Sequence, residues 1–201
     1  MQRVSKDMRY HLKGWMKMNI KYLTFLLVSG LLSIGLVIFP EIAEASYKGE
    51  EIAKVATKHM LTEGIGNQNT QERIQYNQVR RETQGYGDCS TFARDVYAEV
   101  GIFNIGNYTA EQITNPKGQF IPSVSSLQRG DLIFFASHNK KVGHSVALPN
   151  GNHTNVSHVG IYMGEGYFID LSSSQGTITP RTIYDPMLSG LFIGGKRFSY
   201  Q

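Results

Sequence analysis

Tyr86-Gly87-Asp88-Cys89-Ser90-Thr91-Phe92 holds the only cysteine in 201 residues and marks the passage from a loop into a helix. Downstream, Phe92, Ala93, Val96, Tyr97 and Val100 recur at the three-and-four spacing of an amphipathic helix that ends at Gly101, which puts Cys89 in its first turn. The unpaired N–H groups and the dipole of a helix start favour an anion, so a thiol held there is biased toward thiolate. The plain alternative for a lone cysteine is a small buried hydrophobe. The rest of the chain decides between them.

Residues 22–39 (YLTFLLVSGLLSIGLVIF) carry no charge and follow Lys13, Lys17 and Lys21. They run into Pro40-Glu41-Ile42-Ala43-Glu44-Ala45-Ser46, a small-x-small site that predicts cleavage after Ala45, with Pro40 breaking the helix before it. Residues 1–45 are therefore expected to be a signal peptide and 46–201 the mature domain; Met18 is an alternative start. Left uncleaved, the same 18 residues nearly span a ~30 Å hydrocarbon core and would anchor the protein. Six basic side chains before residue 22 keep the amino terminus inside, so both readings put the mature chain outside the membrane, secreted or at the wall. Membrane contact is expected only through this segment.

The leader also carries the basic balance. Beyond residue 45, 14 Lys/Arg face 13 Asp/Glu, and no basic patch interleaved with aromatics argues for nucleic acid. Exported proteins that use cysteine structurally use it in pairs, so a single thiol in an oxidising space points to reactivity.

Ile52, Val55, Ala56, His59 and Met60 predict a first helix from about Gly49 to Leu61, with His59 packed or half-exposed and not a ligand. A polar segment, 67–84, contains Tyr76 and the pair Arg80-Arg81, read as a solvated loop. The connector 103–126 shows no periodicity. A turn at Leu127-Gln128-Arg129-Gly130-Asp131 precedes a buried strand, 132–136, and a second loop, 137–156, carries His138, His144 and His153. Strand-like runs follow at 157–163, 166–171, 176–183 and 191–200, with a hairpin at Gly164-Glu165-Gly166. Helices first and strands afterwards predict an α+β domain with a largely antiparallel sheet.

A thiol nucleophile needs a base, and the base needs an orienting polar group. His158 is the best base: it opens a strand in which Val159, Ile161 and Met163 face one way while His158, Gly160 and Tyr162 face the other. The other loop histidines have no such scaffold. Across the hairpin the strand ending at Asp170 runs back beside His158, so Asp170 is within reach to fix the tautomer and stabilise an imidazolium. The plain reading of Asp170 is a strand-end carboxylate.

At these residues the chain resembles a known family. Asp-Cys-Ser-x-Phe at 88–92, Arg129-Gly130-Asp131-Leu132-Ile133-Phe134-Phe135 and His158-Val159-Gly160-Ile161-Tyr162-Met163-Gly164 look like three successive blocks of the NlpC-type cell-wall cysteine peptidases, over about residues 50–200. The resemblance implies a papain-like α+β fold and a monomeric enzyme without metal or other cofactor. Its substrate would be the stem peptide of bacterial peptidoglycan, cut between D-γ-glutamyl and a diamino acid. Cys89 matches the nucleophile and His158 the base; Asp170 falls where the family more often has histidine. Tyr76 matches a tyrosine that lines the site, and Asp88 and Ser90 match residues that hold a free amine of the stem peptide. The 137–156 loop is longer than the family's usual link and is expected to wall the cleft.

Four competing readings share these residues. An amidase cutting the glycan–peptide link has a related fold, as do permuted acyltransferases, in which the histidine block precedes the cysteine. A zinc site built from His138, His144, His153 and His158 has irregular spacing and lacks acidic or thiol ligands. A catalytically silent secreted wall-binding module would have no reason to keep Cys89 with His158.

Overall fold

The computed structural model describes residues 39–139 and 142–199; the apolar leader lies outside this range apart from its last residue. No described helix is long and apolar enough to cross a membrane.

The first helix, α1, runs Phe39–Thr62, ten residues longer at its start than the apolar periodicity predicts. Pro40 lies within its described span. The cleavage site after Ala45 thus falls within a helix, and chain beginning at Ser46 would still keep the part that packs, with Ile52, Ala53 and Ala56 fully covered. Gly49 is needed where it stands: a Cβ there would lie 2.2 Å from the Arg129 carbonyl oxygen, so α1 rests directly on the turn before the central strand.

Two short strands, β1 (Gln75–Tyr76) and β2 (Tyr86–Gly87), pair in parallel, and α2 (Cys89–Glu99) follows. The aperiodic connector contains α3 (Thr109–Thr114), β3 (Gln119–Ile121) and one 3-10 turn, each too short to leave a hydrophobic period in sequence. Then come β4 (Leu132–Ala136), β5 (His144–Ala147), β6 (His153–Gly164), β7 (Tyr167–Leu171), β8 (Ile178–Thr182) and β9 (Phe192–Arg197). Among the described residues they form one antiparallel sheet in the order β3-β9-β4-β6-β7-β8, with β5 added to the front of β6. The expected α+β architecture with a largely antiparallel sheet holds.

The core is two-sided. Leu132, Phe134, Val159, Ile161, Ile169 and Leu171 turn toward α1, α2 and α3, while Ile133, Phe135, Tyr162 and Phe168 pack with Leu188 on the other face. Burial of β4 on both faces accounts for its unbroken apolar run. The loop expected at 137–156 is instead largely a hairpin: His144 pairs with Val156 and Ala147 with His153, so β6 begins four residues before its predicted start. Neither β5 nor the front of β6 alternates cleanly, because much of their surface is exposed.

Candidate active site

Asp88 is the N-cap of α2. Its Oδ1 accepts from the Ser90 and Thr91 N–H groups at 3.0 and 2.9 Å, and Thr91 Oγ1 in return accepts from the Asp88 N–H at 2.8 Å. This capping box fixes where the helix starts and so puts Cys89 at its first position. Phe92 N–H donates to the Asp88 carbonyl. Three of the four N–H groups that a helix start leaves unpaired are thereby used, and among the described residues that of Cys89 is left over. Cys89 is 5% exposed, unpaired, and 3.8 Å from Thr109 Oγ1 at the head of α3.

His158 lies within β6 rather than at its start. Its register partner is Phe135, whose ring lies 6.3 Å away, and the ladder slips by one residue beyond this pair, so Ser157 is skipped. The Ile161–Ile169 pairing sets Asp170 diagonally across from His158 on the same face of the sheet. The carboxylate reaches it: Asp170 Oδ2 is 2.5 Å from His158 Nε2. That leaves Nδ1 as the ring nitrogen available to a thiol. Burial alone would lower the His158 pKa, but the negative charge on Cys89, the hydrogen bond to Asp170 and a hydrogen bond to Cys89 outweigh it and raise it to about 10. Cys89, His158 and Asp170 thus form one electrostatic unit.

Asp170 is fully buried and has a second cation. Arg181 Nη1 lies 3.1 Å from the same Oδ2, and its guanidinium sits 5.8 Å from the Phe168 ring. Arg181 is the register partner of Phe168 on β8, a neighbour that sequence spacing does not reveal because the β7–β8 connection has no tight-turn signature.

Tyr76 pairs with Gly87, two residues before Cys89, through the small parallel ladder. Burial, first, and then the charges of Cys89 and Asp88 push its phenol up to about 12, with Arg81 opposing. Tyr76 therefore stands close enough to Cys89 and Asp88 to feel the charge of both. The expected solvated loop at Arg80-Arg81 is half right: Arg80 is exposed, but the Arg81 side chain is 10% exposed and points inward. Its Nη1 donates to Asp88 Oδ2 at 2.8 Å and Ser90 Oγ at 3.1 Å, its Nη2 donates to the Asn107 carbonyl, and its guanidinium lies 4.4 Å from the Tyr108 ring centre. Ser90 Oγ donates to Asp88 Oδ1.

A cleft of about 410 Å³ opens over Cys89, lined by Arg81, Ser90 and Tyr108, by Val142 and Gly143 ahead of β5, and by His144 at its start. The long insertion does wall the cleft. His144 and His153 are carried on paired strands, not on a free loop. His59, as expected, is packed: it sits between Glu63 and Glu99 and edge-on to Phe92. Among the described residues no three His, Cys, Asp or Glu side chains come together as a metal site.

The NlpC/P60 family matches residues 75–197, well over half of the chain. Two curated relatives are peptidoglycan DL-endopeptidase CwlO of Bacillus licheniformis, 36% identical over 44% of this chain, and probable endopeptidase YafL of Escherichia coli, 27% identical over 58%. The matched parts are 16% and 41% of those proteins, so this chain spans less than half the length of either. The solved structure of NlpC1 from Trichomonas vaginalis superposes with a TM-score of 0.54 over 77% of this chain and 45% of its own, at 21% identity, and carries the papain-like fold. The chain belongs to the NlpC/P60 family.

Proposed function

We propose that the chain is a secreted cysteine peptidase that hydrolyses the D-γ-glutamyl–diamino acid bond in the stem peptide of bacterial peptidoglycan. The observation that carries this reading is the unit at the head of α2: a buried thiol whose charge, with Asp170, raises the His158 imidazole to about 10. In this reading His158 Nδ1 takes the thiol proton and Cys89 Sγ attacks the scissile carbonyl. The Cys89 N–H and the helix dipole stabilise the oxyanion. The imidazolium then protonates the leaving amine, and water, activated by the same ring, releases the acyl group. Asp170 holds the ring in the required tautomer throughout.

The names of the relatives support the substrate class, since one is a peptidoglycan DL-endopeptidase and the other a probable endopeptidase. The apolar leader supports export and contact with the wall. Purified peptidoglycan treated with the protein should release fragments whose masses identify a D-γ-glutamyl end, and Cys89→Ala should release none. Fragments ending at the glycan–peptide link would support the amidase instead.

A further inference from the structure

We propose that Arg81 sets the substrate class at this cleft: it takes, from within the chain, the place of a substrate ammonium on Asp88, so the subsite selects stem peptides with an acylated amino end over peptides with a free amine. The inference rests on the peptidase reading above. The family resemblance implies an amine held by Asp88 and Ser90, but the Asp88 carboxylate is 4% exposed and already accepts four donors. Oδ1 receives two backbone N–H groups and the Ser90 hydroxyl, and Oδ2 receives Arg81. Each carboxylate oxygen offers about two lone-pair sites, so Oδ1 is full, and the place left for a cation is on Oδ2, which Arg81 holds. The pair is also neutral, so an arriving ammonium finds no net charge and meets a guanidinium of its own sign.

Arg81 is fixed from several directions. Besides Asp88 and Ser90 it holds the Asn107 carbonyl, contacts Glu82 at 3.3 Å and stacks on Tyr108. Among the described residues these contacts use four of its five N–H donors, and the residue lines the cleft beside Cys89. The remaining N–H suits the carbonyl of an acylated amino end, the form in which a stem peptide is joined to the glycan strand. An amine-terminated peptide has no such acceptor there and would have to displace a buried ion pair.

Two synthetic stem tripeptides, identical except for a free or acetylated amino end, test this. Wild type should cut the acetylated peptide with a kcat/KM higher by about one to two decades, mostly through KM, the range expected of one charge-assisted hydrogen bond. Arg81→Met should lose or invert that ratio, because Asp88 is then free to take an ammonium. Arg81→Lys keeps the charge but not the fork, and should keep the sign of the preference with a smaller ratio. Wild type that cuts both peptides equally, or prefers the free amine, overturns the inference and leaves the peptidase reading standing. If Arg81→Met does not fold, the wild-type and Arg81→Lys ratios still decide. Failure of wild type on both peptides and on purified peptidoglycan would overturn the peptidase reading and the inference with it.

Discussion

Asp170→Asn keeps the shape of the side chain and removes its charge. In the native site one oxygen, Oδ2, lies 2.5 Å from His158 Nε2 and 3.1 Å from Arg181 Nη1, in a position without solvent exposure. Loss of a charge-assisted hydrogen bond is worth about 1.5–3 kcal/mol, and each pKa unit is about 1.4 kcal/mol, so the imidazolium should release its proton about one to two pH units lower. Arg181 strengthens the effect: its charge, no longer offset, opposes a second cation nearby. Because the thiolate–imidazolium pair is lost as pH rises through the His158 pKa, the basic limb of kcat/KM moves down from about 10.

The assay is kcat/KM against pH on a defined stem peptide for wild type, Asp170→Asn and Asp170→His. The ratio of wild type to the Asn variant should grow from neutral pH toward pH 9, and Asp170→His, which restores the family's commoner residue, should recover much of the activity if the position only orients the ring. Stability gives an independent sign. A folded-state pKa raised above 6.5 contributes stability that is fully present below 6.5 and is lost as pH rises through about 10. The stability gap between wild type and Asp170→Asn should therefore narrow across that window. Three superimposable rate profiles would refute the reasoning and reduce Asp170 to a structural carboxylate.

Cys89→Ala should abolish turnover with an unfolding midpoint close to wild type, and by NMR its His158 should titrate lower, because the charge on Cys89 is the largest influence raising it. Arg181→Met should destabilise by about 1.5–3 kcal/mol in chemical denaturation, the range of one charge-assisted hydrogen bond to a carboxylate that keeps His158; a change under ~1 kcal/mol would show that Asp170 does not depend on it. Amino-terminal sequencing of exported protein should begin at Ser46, and recovery of the apolar stretch would favour an uncleaved anchor.

What could be read from sequence was what repeats or what turns sharply. The period of α2, the alternation in β6 and the hairpin at Gly164-Glu165-Gly166 each leave a local mark, and together they bring Cys89, His158 and Asp170 into reach. The elements that escaped have no period to show: α3 is six residues long, β1 and β2 two each, and β5 owes its strand geometry to pairing with β6. Thr109, Arg81 and Arg181 escaped for a related reason. Their partners lie 20, 7 and 11 residues away, and only register or loop closure joins them.

The three blocks that carry the family likeness share a further property once their partners are known. Asp88 belongs to the first block, Asp131 to the second, and Asp170 faces the histidine of the third; all three carboxylates are buried, at 4%, 2% and 0% exposure. Each is held by an arginine outside the block: Arg81 at 2.8 Å, Arg197 at 2.7 Å and Arg181 at 3.1 Å. A buried carboxylate without a cation would be neutralised or would unfold its surroundings, so the partners are as necessary as the acids. Nothing fixes where in sequence such a cation must come from, since any segment that reaches the carboxylate will serve. The Arg197–Asp131 pair ties β9 to the turn under β4 and is remote from the cleft, whereas Arg81 lines the cleft and Arg181 touches the charge that sets the His158 pKa. The local sequence around each acid therefore does not name the cation that keeps it charged, and substituting Arg81 or Arg181 tests the site without altering Cys89, His158 or an acid.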